Sequence, residues 1–391
     1  MYEMTQQLTP EAKKRLEAQH YRIVGSHSAV KTCGWTKSML KGEGGCYKLK
    51  FYGIQSHQCM QMTPSVSCAN RCTFCWRDYK APVGKDWMWE MDDPEKILEE
   101  SLHHHERLLV GMKGHPKVRA ASYAASEQVK HVALSLTGEP ISYPKINKLI
   151  QLFHQRGIST FLVTNAQFPE AMQNLAPITQ LYISVDAPTK EQLKTIDVPL
   201  FQDYWERLNK SLEYLAEKKQ RTCIRLTMVK NLNMENCPAY AALIQKGKPD
   251  FLELKAYMHI GASQERLLRE QMPLHEEVVA FAHELMVHLP EYEIVAEHIS
   301  SRIVLCAKKS FKHSDGWHTW IDFEKFNELA LTGKPFCTED YLKKPPAGLT
   351  GMSGKGTLDR KDPKFRHGKT LRELRMRNPV NEKTEELQFW R

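Results

Sequence analysis

Three cysteines, Cys68, Cys72 and Cys75, fall within the eight residues CANRCTFC. A regular helix or strand cannot aim three thiolates so spaced at one point, but a tight loop can. Three converging thiolates suit a [4Fe–4S] cluster whose fourth iron is left open. Structural zinc is the competing reading, yet zinc needs a fourth Cys or His at short range, and none follows Cys75 closely.

The remaining sequence shows what surrounds that loop. The chain has 391 residues, room for a large core and more than one domain. Its ten cysteines are too sparse for a disulfide scaffold, and six of them lie between Cys33 and Cys75. Such clustering points to metal in a reducing cytoplasm. Cys223, Cys237, Cys306 and Cys337 read as buried thiols. The N-terminal stretch is charged and lacks the apolar core of a signal peptide. No apolar run is long enough to span a bilayer. The expectation is a cytoplasmic protein without a membrane segment, with monomer as the default state. A net charge of +9 favours polyanions, nucleic acid above all. The basic, Gly- and Pro-rich segment beyond about residue 346 reads as a mobile arm with a short helix near Lys369–Arg377.

Strand and helix patterns alternate after the loop. Strands are expected at Lys130–Leu136, Ser159–Asn165, Gln180–Ala187, Thr222–Lys230 and Phe251–Tyr257, after a first strand just before Cys68. Helices are expected at Pro144–Gly157, Asp203–Lys219 and Glu235–Lys246. Six βα units imply an α/β fold built on a partial, TIM-like (β/α)6 barrel. Right-handed crossovers bring all strand C-termini to one rim, where such barrels carry their sites. Polar residues recur at those ends: Thr137, Gly138 and Glu139, then Thr164 and Asn165, then Ser184 and Asp186, then Arg225 and Thr227.

The cysteine loop, with Phe74 before its last cysteine, resembles the cluster loop of radical S-adenosylmethionine (SAM) enzymes. Thr137–Pro140 (TGEP) resembles their GGEP stretch, with threonine in place of the first glycine. The resemblance implies that Thr137, Gly138 and Glu139 bind the methionine amino group. It gives ribose and methionine contacts to Asn165, Ser184 and Asp186, and the methionine carboxylate to Arg225.

Cys33, Cys46 and Cys59 form a second set, separated by two intervals of twelve residues. On spacing alone they suit a second open [4Fe–4S] cluster or a zinc site completed by His27 or His57. Taken with the following CMQMTPSVSCANRCTFCWRDYKAPVG, they resemble the archaeal-type tRNA 4-demethylwyosine synthases. The resemblance extends through LKAYMHIGASQERL and divides the chain into four. Residues 1–60 carry the auxiliary cysteines, 61–268 the radical SAM core, 269–345 a wyosine-base-formation domain, and 346–391 the basic tail.

That resemblance implies two [4Fe–4S] clusters, SAM, and pyruvate as co-substrate. The substrate is then N1-methylguanosine at position 37, in the anticodon loop of tRNA-Phe. A deoxyadenosyl radical takes hydrogen from the N1-methyl group, and the carbon radical adds to pyruvate. The pyruvate C1 is lost and the tricyclic base closes, a carbon–carbon lyase reaction. Electrons come from a separate flavodoxin- or ferredoxin-type donor. The family position two residues after the middle cysteine makes Lys48 the Schiff-base lysine. Alternation in CYKLKFY puts Lys48 and Lys50 on one side and Tyr47, Leu49 and Phe51 on the other, so Lys50 is a rival. The main alternatives are another two-cluster radical SAM enzyme, a methylthiotransferase or peptide maturase, and a zinc-stabilised RNA-binding protein. Trp317, Trp320, Phe323 and Phe326 track one helical face and read as core rather than base-stacking platforms. His103, His104 and His105 read as a solvated helix face.

Overall fold

The computed structural model describes residues 7–348; the helix expected near Lys369–Arg377 lies outside the described residues. Ten strands form one sheet. They are β1 (Arg22–Val24), β2 (Ser28–Lys31), β3 (Cys59–Thr63), β4 (His131–Leu134) and β5 (Ser159–Thr164), then β6 (Gln180–Ser184), β7 (Arg221–Met228), β8 (Phe251–Ala256), β9 (Tyr292–His298) and β10 (Ile303–Lys308). From β3 to β8 every neighbour is parallel and follows in chain order. This is the expected run of six βα units, with the first strand placed just before the cysteine loop.

The expected helices form at Ile146–Gln155, Tyr204–Glu217 and Cys237–Gly247. The β6 pairing stops at Ser184, so Val185–Ala187 leave the ladder at the rim. Two antiparallel additions were not legible in the pattern. β1 and β2 form a hairpin whose second strand pairs with β3. β10 pairs with β8, and β9 with β10, extending the other edge.

Strand alternation sorts the side chains into two cores. Leu162, Leu181, Ile183, Ile224, Leu226, Leu252 and Leu254 pack outward with the helices. Phe161, Tyr182, Cys223 and Phe251 face the other way and meet Tyr47, Phe51 and Tyr52. These last three belong to a short helix, Tyr47–Tyr52, which fills the sheet's concave face with aromatics. The alternation expected for Lys48 and Lys50 is therefore overturned. In a helix, residues two apart point to nearly opposite sides. Lys48 is buried with the aromatics, whereas Lys50 is only half-buried.

Later parts of the chain brace this helix. Trp317 and Trp320 do not lie on a helix: each sits in a two-residue strand, and the helix begins at Phe323. Trp320 Nε1 donates to the Lys50 carbonyl at 3.0 Å. Phe326 is fully buried, and Phe323 packs on His131. The helix ends at Gly53, where φ is +85° and a Cβ would meet the Trp320 ring at 2.8 Å. Gly53→Ala is expected to lower stability by about 2 kcal/mol, the cost of a strained left-handed residue plus displacement of the indole. A denaturation series measures this, and an unchanged midpoint would contradict the packing described.

Candidate active site

The loop carrying Cys68, Cys72 and Cys75 is fixed by its backbone. Arg71 N–H donates to the Asp197 carbonyl at 2.9 Å and Thr73 N–H to the Ile196 carbonyl at 2.8 Å. Arg266 spans the other side, with Nε on the Thr73 carbonyl at 2.9 Å, Nη1 on that of Arg77 at 3.2 Å, and Nη2 on that of Cys75. Asn165 Nδ2 and Asn70 N–H both donate to Cys68 Sγ at 3.4 Å. The sequence reading missed Arg266 and Asp197; both act on the loop from more than a hundred residues away, and no local pattern signals that.

All three thiols line one cavity of about 190 Å3. The same cavity is lined by Phe74, Thr137, Gly138, Glu139, Asn165, Ser184, Asp186 and Arg225, every rim residue named from the SAM-enzyme resemblance. Gly138 has φ +69°, and a Cβ there would lie 2.0 Å from the Ser65 carbonyl oxygen. Glycine is thus what lets this turn close against the strand leading into the cysteine loop. Glu139 is buried; its Oε2 accepts from Asn165 N–H at 3.0 Å, and its Oε1 has no hydrogen-bond partner. Burial pushes its carboxyl up to about 7. Burial likewise raises Asp186 to about 6, against the hydrogen bonds from Thr227. Burial, with Asp197 and Cys75 next in weight, pushes the Cys72 thiol well above its ordinary value. A bound cluster reverses that balance, because iron favours the thiolate.

Arg225 holds Glu253, its register partner on β8, through Nε at 3.1 Å and Nη2 at 2.9 Å. The same Nη2 donates to Tyr47 Oη at 2.7 Å. The second cysteine set gathers around Lys48, on which Arg225 and Glu253 both act. Cys33 interacts electrostatically with Cys46 and Lys48, and Cys59 with Cys46, Lys48 and Cys33. The sequence separates these four groups by up to 26 positions; the fold brings them together. Lys48 Nζ lies 4.9 Å from the Tyr182 ring centroid and 5.4 Å from that of Phe161. Burial, and then the Arg225 guanidinium, lowers its pKa. Lys255, unremarked in the sequence, sits beside Thr227 in register, and burial with Arg225 and Arg302 brings it down to about 7. A second cavity of about 450 Å3 reaches Cys33 and shares Trp76, Asp78 and Leu136 with the first.

Three expectations are corrected here. His27 cannot complete a site with the auxiliary cysteines. Its Nδ1 lies 2.6 Å from the Pro64 carbonyl, its Nε2 accepts from Asp92 N–H, and its ring meets Trp87 edge to face. His105 is buried, so the histidine triple is not one solvated face. Cys337 is partly exposed rather than buried, because it sits at the entry to a short 3-10 turn and donates to Asp340. Among the described residues, no three Cys, His, Asp or Glu side chains are grouped to hold a single metal ion, and no helix is long and apolar enough to cross a membrane.

Residues 62–244 match the Radical SAM superfamily, and residues 246–308 match the family described as wyosine base formation. A solved structure described as TYW1 with a lysine–pyruvate adduct bound is 36% identical, with a TM-score of 0.70 over 78% of this chain and 97% of that one. The chain belongs to the TYW1 family.

Archaeal TYW1 is 32% identical at a TM-score of 0.64, over 78% of this chain and 97% of its own. The S-adenosyl-L-methionine-dependent tRNA 4-demethylwyosine synthase TYW1 of Homo sapiens is 50% identical over 91% of this chain and 50% of its own length. The synthase of Oryza sativa subsp. japonica is 49% identical over 92% of this chain and 56% of its own. The chain thus spans about half the length of the curated relatives it matches. TYW1 membership within the radical SAM superfamily implies SAM and a [4Fe–4S] cluster, and the donor set fits both: three thiols and an orphaned, buried carboxylate oxygen share one cavity.

The raised Glu139 carboxyl sets a pH dependence. An ammonium ligand needs the carboxylate, whose protonation competes below the raised pKa of about 7. SAM affinity is therefore expected to fall as pH drops from about 8 to about 6, and Glu139→Gln to flatten that slope. Isothermal titration across this range checks it; an affinity independent of pH in the unmodified protein would contradict it.

Proposed function

We propose that this chain condenses pyruvate carbons with N1-methylguanosine-37 of tRNA-Phe to give 4-demethylwyosine, a carbon–carbon lyase reaction. One observation carries the reading. Lys48 is a buried lysine among three cysteines, acted on by the Arg225–Glu253 pair, whose arginine lines a cavity holding three more. The relative with a lysine–pyruvate adduct supports the same assignment.

Cys68, Cys72 and Cys75 would hold the first cluster, and with SAM on its open iron that cluster supplies one-electron cleavage of the sulfonium. Glu139 accepts the methionine ammonium on its orphaned oxygen, and the Thr137–Gly138 turn keeps the backbone close. Asn165, Ser184 and Asp186 position the rest of the ligand, Phe74 packs beside it, and Arg225 supplies positive charge toward the methionine carboxylate. Cys33, Cys46 and Cys59 would hold a second [4Fe–4S] cluster, which supplies a Lewis-acidic iron for a keto acid. With His27 engaged elsewhere, one of the two candidate fourth ligands for zinc is removed there.

Burial against Tyr182 and Phe161 lowers the Lys48 pKa, which raises the share of neutral, nucleophilic amine. Its nitrogen attacks the pyruvate keto carbon and water leaves, giving an imine. The larger cavity, with Tyr21 and Trp76 on its wall and Lys31 at its edge, suits an extruded, stacked base. The net charge of +9 suits the surrounding phosphates. The electron donor is a flavodoxin- or ferredoxin-type protein or domain, the setting the cytoplasm, and the working unit a monomer.

Mass spectrometry of methylguanosine-bearing tRNA, incubated with enzyme, SAM, reductant and carbon-labelled pyruvate, tests the reading. The expected product carries label from pyruvate C2 and C3 and none from C1. Equal modification without pyruvate would overturn it in favour of another two-cluster radical enzyme.

A further inference from the structure

Glu253 is fully buried on β8, faces the concave interior, and has no place in the chemistry described above. Both its oxygens are used. Oε2 receives Arg225 Nε and Nη2, and Oε1 accepts from Tyr52 Oη at 2.9 Å. Through Arg225 Nη2, which also donates to Tyr47 Oη, the carboxylate governs both ends of the Tyr47–Tyr52 helix.

That helix is only six residues long. A helix this short has little intrinsic stability, and external contacts decide its orientation. Tyr52 lies four residues after Lys48, so the two share a face. Fixing the Tyr52 ring by its hydroxyl fixes the rotation of the helix about its axis, and with it the direction of the Lys48 side chain. The Tyr47 anchor sets the entry end, and the Trp320 indole on the Lys50 carbonyl sets the exit. Lys48 Nζ is thereby directed over Tyr182, whose ring also lies under the Arg225 guanidinium, 5.1 Å from its centroid.

We propose that Glu253 is a positioning residue: acting through Tyr52 and Arg225, it sets the rotation of the Tyr47–Tyr52 helix and so aims the Lys48 amine at the keto acid. The proposal rests on the assignment of Lys48 as the pyruvate-binding lysine. It assigns Glu253, Tyr52 and Tyr47 to capture of the second substrate.

The test uses the full chain with both clusters reconstituted. Borohydride reduction in the presence of pyruvate traps the imine as a stable amine, read by intact mass. The yield is followed against pyruvate concentration for the unmodified enzyme, Lys48→Arg, Tyr52→Phe and Glu253→Gln. Thermal midpoint and SAM cleavage to deoxyadenosine are followed in parallel.

Tyr52→Phe is expected to raise the pyruvate concentration for half-maximal trapping about fivefold, the size of one lost hydrogen bond. Glu253→Gln, which releases both anchors, should raise it further. In Tyr52→Phe the midpoint should fall by only a few degrees, leaving the protein folded at the assay temperature, and the SAM-cleavage rate should stay near that of the unmodified enzyme. Trapping that persists in Lys48→Arg overturns the lysine assignment itself. Trapping lost in Lys48→Arg but with unchanged pyruvate dependence in Tyr52→Phe overturns the positioning role alone. A trapping loss in Tyr52→Phe matched by an equal loss of SAM cleavage or of folded protein also overturns it, since a purely structural role predicts that pattern.

Discussion

The ion pair between Arg225, which lines the cysteine cavity, and the buried Glu253 ties that cavity to the helix that carries Lys48. Glu253 and Arg225 are partners on adjacent parallel strands, so their contact is dictated by β7–β8 pairing rather than by side-chain reach. Burying such a pair is expensive in solvation, and removing one member leaves an uncompensated charge at a typical cost of about 3–5 kcal/mol. The pair is tolerable because its hydrogen-bonding capacity is taken up by Tyr47 and Tyr52. Its arginine lines a cavity holding one set of three cysteines, and both members act on a lysine that lies among the other set.

The interior is layered by strand register. Tyr182, Cys223 and Phe251 form an apolar floor on β6, β7 and β8, with Ser184, Arg225 and Glu253 two residues further along and Thr227 and Lys255 beyond them at the rim. The Tyr47–Tyr52 helix closes the floor, which is why a lysine from the N-terminal segment reaches the middle of the fold. The C-terminal segment contributes Trp320 from outside, and Arg266 reaches back to the cysteine loop. Segments far apart in the chain thus converge on the same few cubic nanometres of protein.

Much of this was legible in sequence because it is periodic or local. Six parallel units follow from alternating patterns, and the rim residues follow from their position at strand ends. The cysteine loop declares itself by spacing. What failed was short-range pattern with two interpretations. CYKLKFY alternates like a strand but is a helix because Gly53 caps it and its aromatics fill the concave face. HSDGWHTWIDF has helical spacing but is strand and turn: Trp317 pairs with Lys312 in a local hairpin, and Trp320 pairs with Lys343 while its indole bonds the distant Lys50 carbonyl. Asp197, Arg266 and Glu253 were invisible because each acts on partners that only the tertiary fold supplies.

On this proposal two separate iron–sulfur sites share the interior, one receiving SAM at Cys68, Cys72 and Cys75 and the other a keto acid beside Lys48. Electron paramagnetic resonance of anaerobically reconstituted, dithionite-reduced protein tests this most directly. Two cluster signals are expected, one altered by SAM and the other by pyruvate. A single signal, or two signals of which neither responds to pyruvate, would contradict it.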